Sequence, residues 1–425
     1  MHRTVIFILL TTLYIKYVVS EEFCSIERDE CSDENKKSRY LFYDVNSPEG
    51  FNLRRDVYIR FAVFAYHLHK SPKQNLNNFK LVLPPWPNLY HWRTKMSTYM
   101  YIPWSHFFDL SSLQSFAPVI EMYQFFDEIG IRYGEINIDE VYILQHFEDM
   151  FKSGRFEDKM EIQKCNKDFF TTFYHYDNIT SNNIKCLSFH GHTSQLSKIL
   201  EQSNARTILF DHAEVALHDR FGDRVYWQAR RSMRFNKKLV KIAAEYRQQY
   251  LNSSDEKDST ILQPNWKDDK PGRNAVGGPY LGVHLRRRDF AWGRPKDVPD
   301  IENAAKQIRA LLVKLNLDVA FVATDASQTE YEELRQLLEP DFTVLKYTPS
   351  KTVKQVHKAG GIAIIDQIIC AHARYFVGTH ESTFSFRIQE EREILGFPVE
   401  TTFNRLCGSD SDGKCDGPSK WTIVY

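Results

Sequence analysis

The sequence predicts an α/β protein made of two doubly wound, parallel-sheet domains facing each other across a cleft. Three observations carry that expectation. Short apolar strands alternate with segments of helical periodicity in both halves of the chain. Hairpin signals are few, so the strands must be joined by crossover connections. The 425 residues also exceed the ~250–300 at which a single hydrophobic core usually stops growing.

The elements follow in order. Residues 40–44 (YLFYD) read as a short buried strand and 45–52 as a loop stiffened by Pro48 and opened by Gly50. From Leu53 the apolar positions Val57, Phe61, Phe64, Ala65 and Leu68 recur at helical spacing, and 79–83 form the next strand, which completes a βαβ unit. In the second half, 280–285 is a strand entering an Arg-rich loop, 301–315 a helix, and 319–324 a strand bounded by Asp325. Residues 329–338 read as a helix, 343–345 as a strand, 362–372 as a helix, 375–377 as a strand and 383–395 as a helix. The middle is less regular, and no internal repeat is visible. The polar stretch 252–278 is the expected linker, which gives a leader at 1–20, a first domain at 21–260 and a second at 261–425.

The first twenty residues indicate the compartment. Met1-His2-Arg3 is a short basic start, an apolar run covers 5–13, and Val18-Val19-Ser20 offers a cleavage point. The run is about half of the ~20 apolar residues a spanning helix needs, and Lys16 interrupts it. A cleaved signal peptide follows, leaving a soluble lumenal protein with no membrane span. The cysteines support an oxidising compartment. Cys24 with Cys31, Cys165 with Cys186 and Cys407 with Cys415 are local pairs that read as disulfides, leaving Cys370 as a buried thiol. Their spacing does not suit zinc. Asn178 and Asn252 begin glycosylation sequons. Lys plus Arg and Asp plus Glu balance at 55 each, so no basic field points to nucleic acid.

Three constellations are able to carry chemistry. Asn46 to Asp56 lies where a parallel strand gives way to a helix, the usual ligand-binding edge of such sheets. There Asn52 is the expected helix N-cap and Glu49 stands beside the helix N-terminus, as a base acting on a hydroxyl or as a solvated loop residue. His284-Leu285-Arg286-Arg287-Arg288-Asp289-Phe290 follows a strand directly. Its alternation sends His284, Arg286 and Arg288 one way and Arg287 the other, and the arginines suit phosphate oxygens or a solvated turn. Asp366 precedes Val377 to Arg387, where Ser382 or Thr383 caps a helix whose free N–H groups suit a diphosphate. GxGxxG, GxxxxGK[ST] and GxSxG are all missing, which weakens dehydrogenase, P-loop and hydrolase readings. Asp410-Ser411-Asp412 has the form of a metal-holding Asp-x-Asp pair but reads better as a solvated disulfide loop.

The blocks RYLFYDVNSPEGFNLRRDVYIR, LPPWPNLYHW, IPWSHFFDL, HLRRRDF and IDQIICAHARYFVGTHESTFSFRIQEEREILG resemble the protein O-fucosyltransferases, in particular those acting on thrombospondin type-1 repeats. The resemblance implies a GT-B fold of two Rossmann-like halves with GDP-fucose in the cleft, and inverting, metal-independent transfer without a cofactor. It implies a catalytic base at Glu49 and charge stabilisation by Arg286. Donor contacts are implied at Pro48, Glu49, Gly50, Phe51, Asn52, His284, Leu285, Arg286, Asp366, Thr383 and Phe384, with Asp366 on either the guanine edge or the ribose. Two departures stand out: Ser47 replaces a second proline, and His380-Glu381 is more polar than the family's pattern. The block from Pro84 to Trp92 fits either an acceptor groove or loop packing. The implied partners are GDP-fucose and folded thrombospondin type-1 repeats in the endoplasmic reticulum lumen. Competing readings are the sibling enzyme acting on EGF-like repeats and a lumenal binding protein or chaperone.

Overall fold

The structure is a computed structural model that describes residues 38–87, 89, 101–147, 157–165, 172–409 and 421–425. The leader, Cys24, Cys31, Cys415 and Asp410-Ser411-Asp412 lie outside the described residues. Arg39–Tyr425 forms one compact unit containing a seven-stranded and a five-stranded sheet.

The first sheet comprises β1 (Arg39–Tyr43), β2 (Phe79–Leu83), β3 (Val119–Glu121), β5 (Glu140–Gln145), β6 (Lys159–Gln163), β8 (Ile184–His190) and β9 (Thr207–Asp211), in the order β3-β2-β1-β9-β5-β8-β6. Only β6 runs antiparallel, along the β8 edge. The short strands β4 (Ile136–Asn137) and β7 (Ile179–Thr180) pair separately. The second sheet comprises β10 (Gly278–Leu285), β11 (Val319–Thr324), β12 (Thr343–Leu345), β13 (Ala373–Gly378) and β14 (Asn404–Arg405), ordered β12-β11-β10-β13-β14 and parallel throughout. β1 is buried at all of its positions, as expected of a parallel strand covered on both faces.

The middle, expected to be less regular, nevertheless supplies strands to the first sheet. β3, β5, β8 and β9 all lie there and extend the first sheet, and β9 and β5 neighbour β1 although they follow it by far in sequence. The segment expected as the linker is packed rather than free. Ser253, Asp258, Thr260 and Trp266 are buried, and Arg247 binds Asp255 at 2.8 Å and Asp258 at 3.2 Å. Asp255 and Asp258 serve an internal ion pair with Arg247, so part of the segment's polarity imitates that of a flexible connection.

Helix α1 (Phe51–His69) crosses from β1 towards β2 and buries Val57, Phe61, Phe64, Ala65 and Leu68, the positions the periodicity selects. It also buries Arg54, Arg55 and Asp56, because it packs against helices of both sheets. Helix α2 (Arg224–Ser232) and helix α3 (Lys237–Tyr250) lead towards the second sheet, where α3 packs against a long helix, α6 (Lys351–Ala371). Between these come α4 (Arg288–Gly293) and α5 (Ile301–Leu315), and α7 (Thr383–Leu395) follows β13. α6 starts earlier than sequence predicts and is interrupted at Lys358, whose φ of 54° is non-helical. Trp86 is buried, 4.6 Å from Trp104 and 4.9 Å from Phe51 between ring centroids, so this part of the Pro84–Trp92 block packs inside the protein.

Cys165 and Cys186 form a disulfide closing a separation of 21 residues. Cys407 is disulfide-bonded too, and Cys370 is free and buried. Loop-closure entropy for a loop of that length is worth about 3 kcal/mol. A Cys165→Ser/Cys186→Ser variant is expected to lose about that much stability by urea denaturation, and an unchanged midpoint would refute the estimate.

Candidate functional site

The carboxyl ends of β1, β10, β11 and β13 border one cavity of about 660 Å³. Pro48 to Leu53 reach it from the first sheet. His284, Arg286, Arg288, Asp289 and Phe290 reach it from the end of β10 and the residues after it, Thr324 and Asp325 from the end of β11, Asp366 from α6, and Glu381 to Phe384 at the start of α7. Three constellations far apart in sequence therefore meet at one place.

The loop before α1 is held by Arg54. Its guanidinium donates to the carbonyls of Val45 (2.8 Å), Asn46 (3.0 Å) and Glu49 (3.1 Å) and lies 3.3 Å from Asp44 Oδ1. A rigid fork of donors fixes a loop backbone in this way, which a single-charge lysine cannot do. Glu49 is thereby presented on a backbone held at both ends. Burial, aided by Glu214 and opposed by Arg54, pushes its carboxyl above the usual range. Asn52 departs from its expected role. The N-cap position is Gly50, with no side-chain cap, and Asn52 Oδ1 instead accepts from Gln367 (2.9 Å) and Arg55 (3.3 Å).

After β10 the alternation holds. His284, Arg286 and Arg288 line the cavity, while Arg287 turns to Glu330 and to the carbonyl of Pro299. Arg286 Nη2 lies 2.7 Å from Asp289 and Nη1 lies 2.9 Å from Asp325, and its backbone N–H donates to Thr379 Oγ1 at 2.9 Å. His284 Nδ1 is 2.7 Å from Ser385 Oγ, and its ring stacks on Phe384 at 4.3 Å. Burial, then the Arg286 charge, holds that imidazole down to about 3, so it stays neutral. Leu285 does not reach the cavity. Its side chain is buried in the core, and its carbonyl accepts from Thr324 Oγ1 at 2.6 Å.

At α7 Ser382 is the N-cap, without a side-chain cap bond, and Thr383 is exposed to the cavity. The departure at His380-Glu381 is taken up locally: Glu381 pairs with Arg294 and His380 contacts Arg405. Asp366 Oδ1 is buried with no hydrogen-bond partner among the described residues, and burial pushes its carboxyl up to about 7, with Lys346 opposing. A buried acceptor without a donor in a cavity wall is an open position for a ligand N–H or O–H. Sequence reasoning did not assign Arg54, Gln367, Thr379 or Ser385. Only the Arg54-Arg55 pair beside the loop offered a signal, and it was indistinguishable from helix-surface charge.

Among the described residues no cluster of three or more metal-ligating side chains occurs, and no helix is long and apolar enough to cross a membrane.

This is an α/β protein with a cavity at the carboxyl ends of strands from two largely parallel sheets. The profile of the GDP-fucose protein O-fucosyltransferase family matches residues 40–395, and the chain belongs to that family. It is 45% identical over 409 residues to the human GDP-fucose protein O-fucosyltransferase 2, covering 93% of this chain and 92% of the human one. The Caenorhabditis elegans protein of the same name is 42% identical, covering 92% and 91%. Among solved structures, POFUT1 in complex with GDP-fucose superposes with a TM-score of 0.55 at 15% identity, over 89% of this chain and 99% of that one. The fold is GT-B-like, and the protein is a fucosyltransferase that uses GDP-fucose.

Proposed function

We propose that the 660 Å³ cavity binds GDP-fucose and that the enzyme transfers fucose, with inversion, to a Ser or Thr hydroxyl of folded thrombospondin type-1 repeats in the endoplasmic reticulum lumen. The observation carrying this reading is the meeting of a desolvated carboxylate, an arginine and an unpartnered buried acceptor in one cavity. The acceptor class is supported by the sequence blocks that resemble the enzymes of those repeats, and the compartment by the leader, the disulfides and the exposed Asn178 and Asn252. Division into a first domain ending near residue 260 and a second carrying the nucleotide belongs to the same reading.

Each step falls to a residue in place. Glu49 takes the acceptor proton as the oxygen attacks the face of the sugar away from GDP. Positive charge develops on the sugar ring and negative charge on the departing β-phosphate, which Arg286 and the N–H groups at Thr383 stabilise. Asp366 accepts from the nucleoside, and the His284–Phe384 stack supplies an apolar wall.

Labelled GDP-fucose offered to a folded thrombospondin type-1 repeat and to a folded EGF-like repeat, with chelator present, tests the proposal. Transfer to the first alone supports it. Transfer to the EGF-like repeat overturns the acceptor, and GDP-fucose binding without transfer to either repeat favours a binding protein.

Asp366 gives a pH prediction. Its pKa is higher folded (about 7) than unfolded (3.8), so the stability its protonated form contributes is present below pH ~4 and is lost as pH rises through ~7. The ligand-free protein should therefore show a larger fall in melting temperature over that window than Asp366→Asn does. Parallel curves for the two proteins would show that Asp366 does not titrate there.

A further inference from the structure

A three-residue chain of side chains behind the cavity fixes which end of the Asn52 amide the ligand meets. We propose that Gln367 is a positioning residue that holds Asn52 with its NH2 group turned into the donor cavity. This rests on the cavity being the GDP-fucose site.

The argument starts from Arg55, which has donors only and no acceptor. It is fully buried against the rings of Phe51, Phe108 and Phe235. Its Nη1 donates to Gln367 Oε1 at 2.8 Å. Since the arginine cannot accept, the oxygen of the Gln367 amide must face it, and the Gln367 NH2 must face the other way. There it meets Asn52 Oδ1 at 2.9 Å, and the same oxygen also receives Arg55 Nη1 at 3.3 Å. Two donors converging on one amide oxygen exclude the flipped Asn52, whose NH2 would oppose two N–H groups. Assigning amide ends is ordinarily ambiguous, but here Arg55 sets the polarity of the whole chain.

The consequence lies on the other side of Asn52. This residue lines the cavity, and among the described residues the only hydrogen bonds of its side chain are the two that its oxygen accepts. Its two N–H groups are left for the ligand. The donor carries a diphosphate and sugar hydroxyls, and an outward NH2 suits phosphate oxygens where an outward carbonyl would repel them. Gln367 follows Asp366 on α6 and is 2% exposed. It reaches Asn52 across 315 positions of sequence, so it ties the first turn of α1 to the helix carrying Asp366.

Gln367→Glu separates this role from a structural one. The glutamate keeps the shape and gains a charge pair with Arg55, but it cannot donate to Asn52, whose amide then turns its oxygen outward. Gln367→Met removes both polar ends and leaves only the 3.3 Å contact from Arg55 to hold Asn52. Calorimetry with GDP on the full chain should show binding weakened about tenfold in Gln367→Glu, the equivalent of ~1.4 kcal/mol, and less in Gln367→Met. KM for GDP-fucose should rise in parallel while kcat changes less than about threefold. In an Asn52→Ala background neither substitution should weaken GDP further, because coupled residues are not additive. Weakening of Gln367→Glu no greater than that of Gln367→Met, or losses that multiply in the double variants, overturn the inference. Wild-type protein that binds no GDP sinks the donor-site reading itself; wild-type binding that Asn52→Ala leaves unchanged sinks only the role given to Gln367.

Discussion

Glu49→Gln is expected to lower fucose transfer by about 10²–10⁴-fold, the usual contribution of a positioned general base, while GDP-fucose still binds. The substitution keeps the shape of the side chain and removes its capacity to take a proton. The loop should not move, because Arg54 holds it through the backbone carbonyls of Val45, Asn46 and Glu49 rather than through the Glu49 carboxylate. Stability offers a second readout with a definite sign. Glu49 has a raised pKa in the folded protein because burial penalises its charge. Its ionised form is therefore under strain at neutral pH, and a neutral amide should leave the melting temperature equal or slightly higher. An inactive variant that is no less stable marks a residue kept for chemistry at some cost in stability. Transfer at the wild-type rate in Glu49→Gln, measured with a folded acceptor, would remove Glu49 from the reaction and leave the donor cavity standing.

The pH profile of the wild type should agree. The base must be ionised, so kcat should fall as pH drops through the Glu49 pKa, above the usual carboxylate range. The kcat/KM profile reports free enzyme and should also respond to Asp366 near 7. Only an ionised Asp366 accepts through both oxygens, so donor capture should improve as pH rises through that value. Asp366→Asn is expected to flatten this second limb and leave the first.

Much of this architecture was legible because parallel strands buried on both faces leave apolar runs, and the helices between them leave a 3.6-residue period. β2, β11, β12, α5 and α7 occur at the bounds their patterns predict. What stayed hidden was long-range. β9 inserts between β1 and β5, and nothing local to Thr207–Asp211 says which strands will flank it. The packing of the 252–278 segment was hidden for another reason. Asp255 and Asp258 are acidic to neutralise a buried Arg247, and a sequence does not distinguish charge facing water from charge facing an internal cation. At the site the same division holds. Glu49 and Arg286 drew notice by their position after strands and the resemblance added a role for Asp366, whereas Gln367 acts through partners more than 300 positions away.

Arg286→Ala is the companion prediction, with transfer expected to fall by at least about 10²–10³-fold, the cost of losing one electrostatic donor to a developing charge. The environment makes the loss larger. Arg286 stands between Asp289 and Asp325, so removing the guanidinium leaves two carboxylates bordering the place where a phosphate must depart. Both donor binding and the chemical step should suffer, unlike in Glu49→Gln, where only the step does. Arg286→Lys restores the charge but not the fork, and cannot hold both carboxylates while it meets a phosphate oxygen. It should recover GDP affinity more than kcat. Raised salt should weaken GDP binding less in Arg286→Ala than in the wild type, because a cation–phosphate attraction has been removed. Lysine activity equal to arginine would reduce Arg286 to a source of positive potential. Alanine activity near wild type would assign the leaving charge to the N–H groups at the start of α7 instead.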